Sequence, residues 1–321
     1  VAVCLIFPLA WADESRPQPS WLEDSYFNDY MLPVSETQAW VGSYVQSFGE
    51  EIDDFLGDDS QSSIQKGNRV VLYTPFIWDE GDLSQNIHIK AEIELPKTNH
   101  RWKLIFDNWR EELTQSPTET GVRDSRQSPL ESESENQLGA RYLLDYSENS
   151  FSHIESGLKF RDIIDPNPYI NYLQRYKYEL AQRLLSRSTS QLYLERYRGF
   201  SWQTEQIFDY HYNPETLWRS QSGLSYWHDN REWFFNQAFL WLEQTSSNTA
   251  AAYYIDTQWW LHDRDEALQT VSFGANWRSR LYQDWLFGEI EPQIYFDRID
   301  NFNQPNYRIR LQLEMHFYDP R

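Results

Sequence analysis

The chain predicts an all-β fold, a transmembrane antiparallel up-and-down β-barrel of about fourteen strands preceded by a short amphipathic helix. Three observations predict it. First, Ile309, Leu311, Leu313, Met315 and Phe317 alternate with Arg308, Arg310, Gln312, Glu314 and His316 without interruption. A strand with one apolar and one charged face separates an apolar medium from a wet one. Second, aromatic residues make up 17% of the chain, including 15 Trp and 21 Tyr, the residues suited to the lipid headgroup level. Third, no window reaches the roughly 18 consecutive apolar residues of a spanning helix, although barrel strands need only every second residue apolar.

At the start, Val1 to Ala10 reads as the apolar core of a secretory signal, with Ala10-Trp11-Ala12 as its cleavage site. Residues 1–12 are therefore expected to be a signal peptide and 13–67 a periplasmic N-terminal segment, with the barrel spanning 68–321. Cys4, the only cysteine, precedes that cleavage site, so disulfides are not expected. A net charge of −21 argues against a nucleic-acid partner. Its acidic runs, Asp53-Asp54, Asp58-Asp59 and Glu131 to Glu135, suit solvated loops, or divalent-cation bridging to lipopolysaccharide.

Ser35-Glu-Thr-Gln38 matches a capping box, and Trp40, Tyr44, Phe48, Ile52 and Phe55 follow at helical spacing before Gly57. This predicts an amphipathic helix over about 36–56, either a lumen plug or a periplasmic cap. Strands are predicted over 69–78, 85–95, 100–110, 137–147, 151–161, 168–181, 186–198, 200–212, 215–228, 231–246, 250–262, 268–280, 284–297 and 305–318. The alternation is clean in Ile87 to Leu95 and in Trp102, Leu104 and Phe106 against Arg101, Lys103 and Asp107. It is poor near 182–198 and 231–246. An even strand number returns both termini to the periplasm. With the acidic loop at 111–136 outside, the periplasmic turns at 96–99, 148–150, 182–185, 213–214, 247–249 and 281–283 are all short. Twelve strands follow if one pair is misread. A soluble sandwich is disfavoured because burying Lys or Arg in its core costs several kcal/mol each unless paired.

Alternation places Arg101, Lys103, Arg141, Asp145, Arg175, Lys177, Glu179, Asp209, Arg219, Asp256, Arg278, Glu289, Glu291, Arg308, Arg310 and Glu314 on the lumen face. Such mixed charge permits a hydrated constriction that passes small polar solutes. It also permits ion pairs that close the bore. No P-loop, H-E-x-x-H, G-x-S-x-G or cysteine-based metal site is present, so no cofactor, metal or enzymatic activity is expected. The His228-Asp229 and His262-Asp263 pairs fall two strands apart, about 10 Å, too far for a direct relay.

Trp277-Arg-Ser-Arg-Leu-Tyr-Gln-Asp-Trp-Leu-Phe287, Glu289, Glu291-Pro292 and Leu311-x-Leu313-Glu314-x-x-Phe317, with Ile52 to Asp59 and Leu95 to Thr98 upstream, resemble an uncharacterised family of proteobacterial outer-membrane β-barrel proteins. The resemblance covers most of the mature chain and implies the fold, but no activity. Tyr307, Leu311, Leu313, Met315 and Phe317 look like the C-terminal assembly signal of Gram-negative outer-membrane proteins, here followed by Tyr318 to Arg321. The sequence expectation is thus a monomer in the cell outer membrane of a Gram-negative bacterium. Its expected partners are outer-membrane lipid, lipopolysaccharide, the barrel-assembly machinery and small polar solutes.

Overall fold

A strand that leaves water for lipid must satisfy its backbone groups with neighbours on both edges, which only a closed sheet can do. The computed structural model describes residues 69–95, 98, 101–108, 136–147, 149–160, 165–213, 215–228, 231–262, 265–283 and 285–318, and in it one sheet closes on itself. The signal peptide, the helix over 36–56 and the acidic loop predicted from the sequence lie outside the described residues.

The strands are β1 (Arg69–Asp79), β2 (Asp82–Gln85), β3 (His88–Glu94), β4 (Trp102–Asp107), β5 (Asn136–Tyr146), β6 (Ser150–Phe160), β7 (Pro166–Ala181), β8 (Leu184–Glu195), β9 (Gly199–Asn213), β10 (Thr216–Trp227), β11 (Glu232–Ser246), β12 (Thr249–His262), β13 (Asp265–Tyr282), β14 (Leu286–Asp297) and β15 (Asn306–Tyr318). Chain neighbours pair antiparallel around the wall. Both β2 and β3 pair with β1, β2 opposite Phe76–Asp79 and β3 opposite Arg69–Tyr73. They are two halves of one wall strand interrupted at Asn86-Ile87, so the wall has fourteen staves. The interruption falls inside the second predicted strand, 85–95.

Closure comes from β15 lying along β1 over its whole length, from Arg69 opposite Tyr318 to Asp79 opposite Arg308. The register joins like to like. Leu72 meets Met315 and Phe76 meets Leu311 on the outside, while Asp79 meets Arg308 and Tyr73 meets Glu314 on the inside. A one-residue slip would turn every charge of β15 into lipid. At the far end of β1, Glu80 and Gly81 both take positive φ, 51° and 105°, the backbone of the two-residue turn whose twist matches its strands.

The wall is amphipathic in the sense that the alternation predicts. Leu311 is 47% exposed on the outer face and Glu314 3% exposed on the inner one. Trp102, Leu104, Ile154, Leu158, Ile170, Phe273, Ile290 and Ile294 are likewise exposed outward. This greasy exterior around a charged interior places the protein as a transmembrane barrel in the outer membrane. The first residue of β1, the last of β15 and the strand ends at the β5–β6, β7–β8, β9–β10, β11–β12 and β13–β14 connections share one rim, the periplasmic one by the loop-length rule.

Between β8 and β12 the partition weakens, where the sequence pattern also weakens. Leu217, Ala238, Leu240, Leu242, Ala252 and Tyr254 form a buried cluster on the inner face. On the outer face of the same strands stand Ser188, Gln206, Ser222, Gln237 and Thr257, in register with one another.

Leu311→Arg, at mid-strand on the outer face, is expected to cost about 2–4 kcal/mol of barrel stability. Gln312→Arg, one residue on and facing inward, is expected to cost much less. Reversible denaturant unfolding in liposomes, followed by Trp fluorescence, compares the two.

Candidate functional site

Inward side chains from fourteen staves converge on one charged lining, and neighbouring strands set which charges meet. On β3 to β7, Glu92 accepts from Lys103 Nζ at 3.3 Å and from Arg141 Nη1 at 3.0 Å. Arg141 Nε then reaches Glu155 Oε2 at 2.9 Å. The other Glu155 oxygen accepts from Tyr169 Oη at 2.7 Å and Gln137 Nε2 at 2.9 Å. Each carboxylate oxygen in this chain thus faces a donor, the condition on which a buried charge is tolerated.

A second network covers β12 to β15. Arg278 lies between Glu289 Oε1 at 3.1 Å and Glu314 Oε2 at 2.7 Å. Arg310 joins Glu291 Oε2 at 2.6 Å and Glu289 Oε2 at 3.4 Å, and Tyr254 Oη donates to Glu291 Oε1 at 2.6 Å. His316 contacts Glu314. Between these networks Arg219 grips Asp209 with two parallel hydrogen bonds of 2.7 and 3.0 Å, and Lys159 pairs with Glu195 at 2.9 Å.

Glycines seat the two tyrosines. A Cβ at Gly139 would collide with the Tyr169 hydroxyl, and one at Gly274 with the Tyr254 ring. Each tyrosine therefore folds flat over the neighbouring wall rather than standing into the bore.

All the lumen ion pairs above join strands one or two apart. They run along the wall, and none of them crosses the bore. Asp256 differs: it is 2% exposed on the inner face of β12, and its Oδ1 has no hydrogen-bond partner among the described residues. A cation or a donor-bearing solute is the chemistry that such an oxygen accepts.

Of the residues predicted to line the lumen, Lys103, Arg141, Arg175, Asp209, Arg219, Asp256, Arg278, Glu289, Glu291, Arg310 and Glu314 all occupy the inner register. Arg308 sits higher, against Asp79 and beneath the extracellular rim. Lys177 and Glu179 lie at the periplasmic end of β7, where Glu179 is exposed beside a register shift. Two predicted positions are not in the charged lining. Arg101 is exposed before β4, its Nη1 3.4 Å from the outward Tyr142 hydroxyl. A bulge between Leu143 and Asp145 breaks the alternation, so Asp145 is exposed near the turn and takes a hydrogen bond from Ser150. Alternation cannot register such a bulge, because one extra residue reverses every later side chain.

Tyr169 and Glu195 belong to the lining, through Glu155 and Lys159, and lie outside the predicted set. Tyr169 reads as one more aromatic until Gly139 is placed beneath it. Glu195 follows the weakly alternating stretch of β8. The five assembly-signal residues behave as one row: Tyr307, Leu311 and Leu313 are exposed outward, and Met315 and Phe317 pair with outward Leu72 and Val70. His228 is exposed at the upper rim, while Asp229 and Asp263 lie outside the described residues. Among the described residues no group of three or more His, Cys, Asp or Glu is arranged to hold a metal.

Fold and lining together define an outer-membrane β-barrel with a charged inner face. No protein-family model matches the chain, and no curated protein matches it. Solved structures with a similar fold include the KdgM porin, at 3% identity and a TM-score of 0.37, covering 76% of this chain and 98% of that one. A loop-deletion mutant of OmpT, an outer membrane protein of Vibrio cholerae, aligns at 8% identity and a TM-score of 0.46, covering 78% and 98%. OccK1 of Pseudomonas aeruginosa aligns at 8% identity and a TM-score of 0.43, covering 78% and 97%. The likeness concerns the barrel fold, and no site residue is carried over from it.

Arg278→Met removes the cation shared by Glu289 and Glu314, both nearly inaccessible to solvent. A loss of roughly 3–5 kcal/mol is expected, with partial rescue by adding Glu289→Gln. Unfolding midpoints of the single and double variants in one detergent measure both effects.

Proposed function

We propose that the barrel is a channel for the passive or selective passage of small polar solutes, without catalytic activity. One observation carries the reading: the ion pairs described above among the described residues lie along the wall, where the charges neutralise one another strand to strand. Alternating basic and acidic groups around a constriction replace part of a solute's hydration shell and hold it weakly enough to release it. Fourteen staves give a bore between the side-chain-filled eight-stranded barrel and the open sixteen-stranded porin, a size that suits small hydrophilic cargo.

The opposite reading, a non-conducting structural or surface-binding barrel, has its own observation. Lys103, Lys159, Asp256 and Arg278 are each no more than 3% exposed, which describes a densely packed lining with little free water at these heads. Conduction requires a passage beside that packing.

Planar-bilayer recording of the refolded protein separates the two. Discrete conductance steps and solute-dependent swelling of liposomes are expected for the channel; their absence at verified insertion leaves the structural reading. Asp256→Asn is expected to move the reversal potential in a salt gradient toward anion preference, because it removes an inward carboxyl group that forms no ion pair among the described residues. An unchanged reversal potential places Asp256 outside the conducting path.

A further inference from the structure

The outer face of a barrel should be apolar at mid-depth, because each polar group held in hydrocarbon without a partner costs several kcal/mol. Most of this wall conforms. At mid-strand, β13, β14 and β15 present Phe273, Ile290 and Leu311 outward. On five adjacent strands it does not. One cross-strand row reads Ser188, Gln206, Ser222, Gln237 and Thr257 on β8, β9, β10, β11 and β12. All five are partly exposed and lie near the middle of their strands. Aromatic residues bracket the row, with Trp202, Tyr226, Trp233 and Trp259 toward the upper rim and Phe208, Trp218, Phe239 and Tyr253 toward the lower.

The row is built from one unit used twice. Gln206 Nε2 donates to Ser186 Oγ at 2.9 Å and to the Ile207 carbonyl at 3.1 Å, while Gln206 Oε1 accepts from Ser188. Two strands along, Gln237 Nε2 donates to Ser220 Oγ at 3.1 Å and to the Ala238 carbonyl at 3.1 Å, while Gln237 Oε1 accepts from Ser222. In each unit a carboxamide bridges two serines placed i and i+2 on the preceding strand. Ser186 and Ser220 accept in these bonds, so each still holds a hydroxyl hydrogen to donate, and both carboxamide oxygens keep an unused lone pair. The face thus carries spare donors and spare acceptors, with no charge among them.

We propose that the outer face of β8–β12 is a self-association surface, and that its occupant is the same face of a second copy of this chain in the plane of the membrane. Lipid offers no hydrogen bonds, and apolar surfaces gain little from each other there, so small and hydrogen-bonding side chains mark where membrane proteins meet. A neutral face with both donors and acceptors is complementary to itself. Two copies inserted in the same direction are related by rotation about the membrane normal, which keeps mid-depth rows at one level and returns each row to its partner. Five strands cover about 24 Å of wall. Over about 30 Å of hydrocarbon the footprint is roughly 700 Å², close to the ~800 Å² per partner of a standard stable interface. The assembly is then an oligomer where the sequence suggested a monomer. The inference requires a lipid-embedded barrel, but not a conducting one.

The test uses the full chain with Cys4→Ser, reconstituted in lipid nanodiscs and liposomes. Light scattering is expected to show an oligomer for this parent and a monomer for Gln206→Leu/Gln237→Leu, with folded gel mobility retained in both. In liposomes, Ser222→Cys is expected to give dimers with a short bis-maleimide, and Leu311→Cys, five strands along the wall and outside the row, none. The cysteine pair reads out the contact even if the double variant does not fold. A monomeric parent, an oligomer that survives both leucine substitutions, or equal cross-linking at the two cysteines overturns the proposal. Should the parent be monomeric and the leucine variant more stable, the row faces lipid at a cost.

Discussion

Everything in this molecule depends on β15 pairing with β1. Until those strands meet, the sheet has two open edges, and an open edge in lipid leaves a row of backbone donors and acceptors without partners. The pairing extends from Arg69 opposite Tyr318 to Asp79 opposite Arg308, so it satisfies the whole edge. The same contact brings Asp79 to Arg308 and sets Tyr295 over the pair, the Arg308 guanidinium 4.9 Å from the ring centroid. Backbone closure and side-chain pairing are therefore specified by a single register. The terminal strand that best displays the pattern is also the one whose register completes the wall.

Closure creates an interior that water can enter only from the ends, and the lining shows how charge is accommodated there. Acids and bases alternate between neighbouring strands, so Glu92, Arg141 and Glu155 form one string and Glu291, Arg310, Glu289, Arg278 and Glu314 another. Glu92, Arg141, Arg310, Glu289 and Arg278 each pair with two opposite charges, and removing one exposes the others to an uncompensated field. Glycines at 139 and 274 let Tyr169 and Tyr254 lie flat and donate their hydroxyl hydrogens to the ends of these strings. Chemistry and packing cannot be varied independently at such positions.

The stretch from β8 to β12 follows a different logic. There the inner face gains leucine and alanine while the outer face gains serine and glutamine, and the aromatic brackets remain. A wall whose amphipathicity fades on both sides at once is suited to contacts other than lipid outside and brine inside. Trp218 and Trp241 pack edge to face at 4.8 Å on its lower border, and Trp202 with Trp233 at 5.7 Å on its upper one. This section of wall is thus firmly framed even where its middle is polar.

Much of this was legible in the chain. Period-two alternation identified the medium on each side of Ile309 to Phe317 and the fourteen staves, because a strand's facing is a local property of consecutive residues. Eleven of the charged lining positions follow from the same rule, Arg278 and Arg310 among them. What failed was whatever depends on a neighbour on another strand. The bulge that turns Asp145 away is a mismatch in length between β5 and β6. Tyr169 matters because Gly139 lies beneath it, and Ser222 because Gln206 and Gln237 stand on either side. Alternation within one strand tells which face a side chain occupies; only the register between strands decides what it meets there.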